Sequence, residues 1–240
     1  MEISRRIGRF KRDRAVIALL VFAAIVFAGR AWLRDHPQHD PWAPLDLRDP
    51  PGWATQRKLA ALRDDPGECR VVLGRSEIAF TVLEPAGAGD CRREDRTTLS
   101  DLPMAPASPP TTCAVAAGLE LWIRQTVQPA ASELLESPVA RIEHLGAYSC
   151  RRIGGEEGGR WSEHATGNAI DIAAFVLEDG RRIAVIEDWR GEHPEARFLQ
   201  RVRDGACGIF GTVLSPDYNE AHRDHLHFDQ AARSFGAFCR

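Results

Sequence analysis

Three of the eight histidines, His222, His225 and His227, fall within six positions near the carboxyl end of the sequence. His225 and His227 stand two apart, so on a strand both side chains leave the same face. A second segment, residues 162–171, sets His164 seven residues before Asp171 with Gly167 between them. Gly167 allows the backbone to bend there at low steric cost. Imidazole nitrogen combined with carboxylate oxygen is a donor set suited to Zn²⁺. Three protein ligands would leave a fourth coordination position for water, which hydrolytic zinc chemistry requires. Each element alone says little; together they point to a metal site.

The elements that must position these residues can be read from periodicity and breakers. Residues 169–177 predict a strand carrying Asp171, and 226–229 a last short strand carrying His227. Glu178-Asp179-Gly180 predicts a turn into a strand over 182–186. Thr111 or Thr112 caps a helix to about Val127, Pro129 starts a second helix, and Pro194 opens a third with Phe198, Leu199 and Val202 on one face. Residues 70–73, 78–83, 139–142 and 147–150 read as further short strands, and 56–62 as a helix. The expected fold class is α+β, a small mixed or antiparallel sheet with flanking helices.

The chain has 240 residues, 44% hydrophobic and 27% charged, enough for a real core and too apolar for a wholly disordered chain. The net charge of −3 provides no global field for nucleic acid. Six basic residues, Arg5, Arg6, Arg9, Lys11, Arg12 and Arg14, nevertheless crowd the amino terminus. Residues 15–29 then carry no charge. As a helix this run covers about 22 Å, against a bilayer core of about 30 Å. Ala31, Trp32 and Leu33 extend it past Arg30, which can snorkel. Residues 1–14 therefore read as a basic cytoplasmic head and 15–33 as an uncleaved signal anchor in the inner membrane, the remainder being periplasmic. A cleaved signal with a secreted product is the alternative.

Residues 34–54, with five prolines, read as a tether, 55–110 as a small subregion, and 111–240 as the main domain. Six cysteines without any CxxC spacing suit an oxidising compartment and up to three disulfides. Neighbour pairing would give Cys69–Cys91, Cys113–Cys150 and Cys207–Cys239. His36, His39, His144 and His193 read as solvent or packing residues, and Asn168 as either a turn residue or a substrate contact.

The pattern SxHxxGxAxD, from Ser162 through His164, Gly167 and Ala169 to Asp171, followed by HxH at His225 and His227, resembles the zinc peptidases of the D-Ala-D-Ala carboxypeptidase, lysostaphin and hedgehog-domain superfamily. Residues from about 111 to 240 resemble more closely the bacterial extensin-like C-terminal domain family. The runs carrying this likeness are Tyr148-Ser149-Cys150-Arg151, the segment from Ser162 to Ile172, Leu214-Ser215-Pro216-Asp217-Tyr218-Asn219 and Asp224-His225-Leu226-His227.

The resemblance implies that His164, Asp171 and His227 are the metal ligands. His225 then matches a residue beside the metal that assists water or stabilises an oxyanion. Arg151 or Arg152 matches an arginine near the substrate carboxylate or carbonyl. Ser162 matches a serine beside the first ligand, and Tyr148 a pocket wall. Asp224 stands where some relatives carry a glutamate base, and the base role falls to Asp224 or His225. The implied activity is that of a membrane-anchored periplasmic zinc peptidase cutting peptidoglycan stem peptides, as carboxypeptidase or endopeptidase. A metal-stabilised wall-binding domain without turnover is the alternative.

Overall fold

The computed structural model describes residues 2–155, 158–233 and 236–240, with side chains of the first helix from residue 12 onward. Arg5, Arg6, Arg9 and Lys11 of the basic head thus fall outside the described side chains. The long apolar run lies within one continuous helix, α1 (Glu2–Asp35). Its portion from Arg12 to Asp35 is long and apolar enough to cross a membrane, and signal sequences share that property.

Residues 34–54 are not the expected tether. They turn through a short 3₁₀ segment, Pro37–His39, and then press onto the domain. Leu47 is fully buried, and its N–H donates to Ser76 Oγ at 2.9 Å. Lys58 Nζ donates to the Pro37 carbonyl at 2.8 Å, and Arg75 Nη1 to that of Leu45 at 3.0 Å. Prolines here shape turns; Leu45 and Leu47 supply the apolar anchors that free linkers lack.

Two helices follow, α2 (Thr55–Leu62) and α3 (Pro66–Arg75). The second replaces an expected strand at 70–73. Its start signals are Pro66 in the first turn and Asp65, whose carboxylate accepts the Glu68 N–H at 2.9 Å. These local caps override the β preference of Val71 and Val72. The strands β1 (Phe80–Val82) and β2 (Thr97–Leu99) pair antiparallel as a small separate sheet.

The main sheet holds the site. Its members are β3 (Met104–Ala105), β4 (Val139–Gly146), β5 (Ala169–Leu177), β6 (Arg182–Ala184), β7 (Thr212–Leu214), β8 (Leu226–Asp229) and β9 (Phe238–Cys239). The order is β3-β4-β5-β8-β7-β9, with β6 beside the far half of β5. Most pairings are antiparallel; β3 with β4 and β7 with β9 are parallel. The α+β expectation therefore holds, with seven strands in this sheet. The strand expected at 147–150 is absent: β4 ends at Gly146, at φ 118°, and the chain leaves the ladder. The strand expected at 182–186 stops at Ala184, where α6 (Val185–Asp188) begins and Asp188 caps the Ala184 N–H at 2.8 Å.

One sheet face is covered by helices. Thr112 caps α4 (Cys113–Trp122), which continues through a π-helical turn, Ile123–Val127, into α5 (Gln128–Leu135). The helix α7 (Pro194–Cys207) packs against α5. Trp122 is fully buried between Phe175 of β5 and Phe228 of β8, and its Nε1 donates to the Val202 carbonyl at 2.8 Å. Because side chains alternate, Ile170, Ile172, Leu226 and Phe228 turn toward the core while Asp171 and His227 turn to the opposite face.

Three disulfides join the described cysteines, and none is free. Cys207–Cys239 is the expected pair. The other two are Cys69–Cys113 and Cys91–Cys150, in place of the neighbour pairs. Both corrected bridges tie residues 55–110 to the segment beyond 111. That segment is integrated with the main domain: Leu59, Leu73, Leu121 and Phe228 belong to one apolar core.

Candidate metal centre

His164 lies on a 3₁₀ turn, Glu163–Thr166, capped by Ser162, whose Oγ accepts the His164 N–H at 3.3 Å. The turn ends at Gly167, in the left-handed region at φ 74°, where a β-carbon would be strained. Asn168 then fastens the bend. It donates to Glu163 Oε2 at 2.6 Å and accepts from Thr112 Oγ1 at 2.9 Å. Those contacts resolve the two readings of Asn168 in favour of the turn. The bend feeds directly into β5, whose third residue is Asp171.

Across the ladder Asp171 is the direct partner of His227 on β8. The three donor atoms meet in a compact triangle. His227 Nδ1 is 2.9 Å from Asp171 Oδ1, His164 Nε2 is 3.2 Å from the same oxygen, and the two imidazole nitrogens are 3.1 Å apart. A tetrahedral zinc with bonds of about 2.0–2.1 Å would place its ligand atoms about 3.3–3.4 Å apart. The triangle thus needs only a slight expansion to receive an ion, and its donor chemistry fits one. The expected trio is brought together.

The far nitrogens fix the rings. His164 Nδ1 is 3.3 Å from the Ala147 carbonyl, so in the tautomer that donates its proton there the Nε2 lone pair would be free to ligate an ion. His227 Nε2 is 3.0 Å from Asp229 Oδ2, a carboxylate that is itself buried and also accepts the Ala231 N–H. Burial alone would push the His227 pKa down. Hydrogen bonds to Asp171 and Asp229 outweigh that and hold it up at about 9. Burial likewise opposes ionisation of Asp171, and the contacts from His164 and His227 prevail, keeping it well below the usual carboxylate range.

His225 precedes β8, yet its ring reaches the same face. Its Nε2 is 3.5 Å from Asp171 Oδ1, and its Nδ1 is 2.9 Å from Asp224 Oδ1. Asp224 is thus behind His225 and half exposed. His222 stands close to the cluster in sequence as a possible contact of the site, and in the fold its ring centroid is 5.2 Å from that of His225 and 5.9 Å from that of His227. Burial, with His225 and His227 nearby, pushes its pKa down to about 4, so it is neutral at pH 7.

The remaining candidates divide. The Arg151 charge is close enough to disfavour protonation of His222, and its carbonyl accepts the Ser162 N–H at 3.1 Å. Arg152 is engaged elsewhere: its guanidinium covers the Trp161 ring at 4.2 Å and donates to the Gly159 carbonyl. Tyr148 is exposed beside the Ala147 carbonyl that holds His164, with the Arg93 guanidinium over its ring at 3.9 Å. Asp229 escaped the sequence reading. The signal was available, since 227 and 229 alternate along one face of β8, but a carboxylate lies outside the HxH pattern.

Residues 67–240 match the family model described as extensin-like protein C-terminus. The chain belongs to this extensin-like family. The match begins at residue 67 rather than about 111, in keeping with the disulfides that bind the earlier segment to the later one. All the candidate site residues fall inside the extensin-like region. No curated protein and no solved structure matches the chain.

Proposed function

We propose that this extensin-like chain is a zinc-dependent peptidase acting on peptidoglycan stem peptides, as carboxypeptidase or endopeptidase, and related in fold and site to the zinc peptidase superfamily that its motifs resemble. The compact His164–Asp171–His227 triangle is the observation that carries the reading. In the same proposal α1 anchors the chain in the inner membrane and the domain is periplasmic, with secretion after cleavage as the alternative. Three disulfides and a basic stretch ahead of the apolar helix support export.

Zinc held at the triangle would supply a Lewis acid and lower the pKa of water toward about 7. The chain's own residues do the rest. His225 Nε2 accepts the proton of the attacking water and returns it to the leaving amine, whose C–N bond breaks. Asp224 keeps the Nδ1–H in place and stabilises the imidazolium formed. Arg151 offers a positive charge to a peptide carboxylate or to the oxyanion. Tyr148 and Tyr218 are both exposed: Tyr148 follows Ala147, whose carbonyl faces His164, and Tyr218 makes an edge contact with His222.

Purified muropeptides test the reading. The zinc form is expected to release new peptide products, a chelator to stop it, and added zinc to restore it. A second reading, a metal-stabilised wall-binding domain, draws on the half-exposed Asp224, which stands where resembling peptidases carry a glutamate base. Unchanged muropeptides with retained binding to wall sacculi would favour it.

Two further results are expected. Asp229→Asn should keep the fold and weaken zinc affinity by about 10–100-fold, because the carboxylate behind a ligating imidazole raises its basicity. Zinc titration against a chromophoric chelator measures this. The second concerns pH. Metal-free His227 is protonated below about 9, and a ligating imidazole must be neutral, so zinc uptake expels that proton. Apparent affinity should therefore rise roughly tenfold per pH unit between about pH 7 and 8.5, and fall as the solution is acidified. A flat profile would show that His227 surrenders no proton.

A further inference from the structure

The apolar helix ends among tryptophans. Trp32, 46% exposed in its closing turns, stacks on His36 at 4.5 Å and on His39 at 5.2 Å. His39 in turn meets Trp53 at 5.7 Å. Trp53 is 72% exposed and Trp42 88%, the two largest exposures among the large apolar side chains described outside α1. Both rings extend from an ordered frame. The Ala54 N–H donates to the Gln38 carbonyl at 3.3 Å, Lys58 holds Pro37, and Leu47 is buried between Trp42 and Trp53 in sequence. The fold that buries its neighbour therefore leaves these indoles in water.

An indole has an apolar body and one N–H donor, which suits the boundary between headgroups and acyl chains. Continuity selects the occupant: the aromatic cluster begins on the helix that would cross the bilayer and runs ring to ring into the neck. Residues 34–54 carry four aspartates against two arginines, so attraction to anionic headgroups does not drive the contact. We propose that Trp42 and Trp53, together with Trp32, form a collar inserted in the headgroup region of the bilayer crossed by α1, seating the domain at a fixed short distance from the surface. This rests on the membrane-span reading given above.

The test uses the full chain reconstituted in phosphatidylcholine vesicles, with and without lipids brominated near the headgroup. The wild-type chain is expected to float with the vesicles and to lose tryptophan emission to the bromine. The Trp42→Ala/Trp53→Ala variant should float equally and melt at the same temperature. Its bromine quenching should fall by roughly two-thirds, since two of three collar rings are gone. Equal quenching of variant and wild type in floating vesicles would overturn the collar while leaving the span intact. Failure of the wild-type chain to float would overturn both. Shielding of Trp42 and Trp53 that grows with protein density, without bromine quenching, would assign the surface to a second copy and likewise overturn the proposal.

Discussion

Alanine in place of His164 or His227 is expected to abolish zinc binding. Wild-type protein should carry about one zinc per chain, because a divalent ion needs all three donors of the triangle to hold a tetrahedral site with one position open. Loss of a partner behind a ligand already costs about 10–100-fold in affinity, so loss of a ligand itself should exceed roughly 100-fold. The two variants differ instructively. Without His164, the imidazole of His227 keeps its hydrogen bonds to Asp171 and Asp229. Without His227, two buried or nearly buried carboxylates, Asp171 and Asp229, lose a shared cation, and the variant should also be less stable. Elemental analysis together with thermal melting, with and without zinc, separates the two effects. Zinc should raise the melting temperature of the wild type and leave both variants unmoved. Wild-type protein that takes up no metal would remove the basis of the proposed activity.

The second large effect concerns turnover alone. His225→Gln is expected to retain one zinc and to lose about 10²–10⁴-fold in peptide hydrolysis, the usual contribution of a positioned acid–base residue. The geometry separates His225 from the ligands. Its Nε2 stands 3.5 Å from Asp171 Oδ1, at the edge of the triangle, while its other nitrogen faces Asp224. Asp224→Asn should have a smaller effect than His225→Gln, since it weakens the support of the imidazole without removing it. If Asp224 were itself the base, the order would reverse. Parallel assays of kcat and zinc content on the two variants decide between these roles, and full activity in His225→Gln would refute the assignment.

Residue chemistry, strand alternation and Gly167 made a His/Asp metal site legible around 164, 171, 225 and 227, but alternation puts His225 and His227 on one face, and only the resemblance to the zinc peptidases chose 227 as the third ligand. β5 and the helices begun by Thr112 and Pro194 were legible for similar local reasons. Less legible was what distant packing decides. Cys69 and Cys91 have cysteines close by in sequence, but their partners are set by how α3 lies on α4 and by where the chain leaves β4. Val71 and Val72 favour a strand in isolation, and the cap at Asp65 made them helical. In the neck, proline content suggests an extended tether, whereas two leucines are enough to bind it down. Arg151 and Arg152 are indistinguishable in sequence; the stacking of one on Trp161 distinguishes them in space.

The pairing of Asp171 opposite His227 has a consequence for biogenesis. These donors come from strands 56 residues apart and meet only in one register of β5 against β8. A slip by one residue would send one of the pair to the wrong face. The three-donor triangle therefore does not exist before β5 and β8 have paired. On the proposed zinc reading, metallation would be a terminal event of maturation, and zinc content would gauge how much of a preparation has reached its native register.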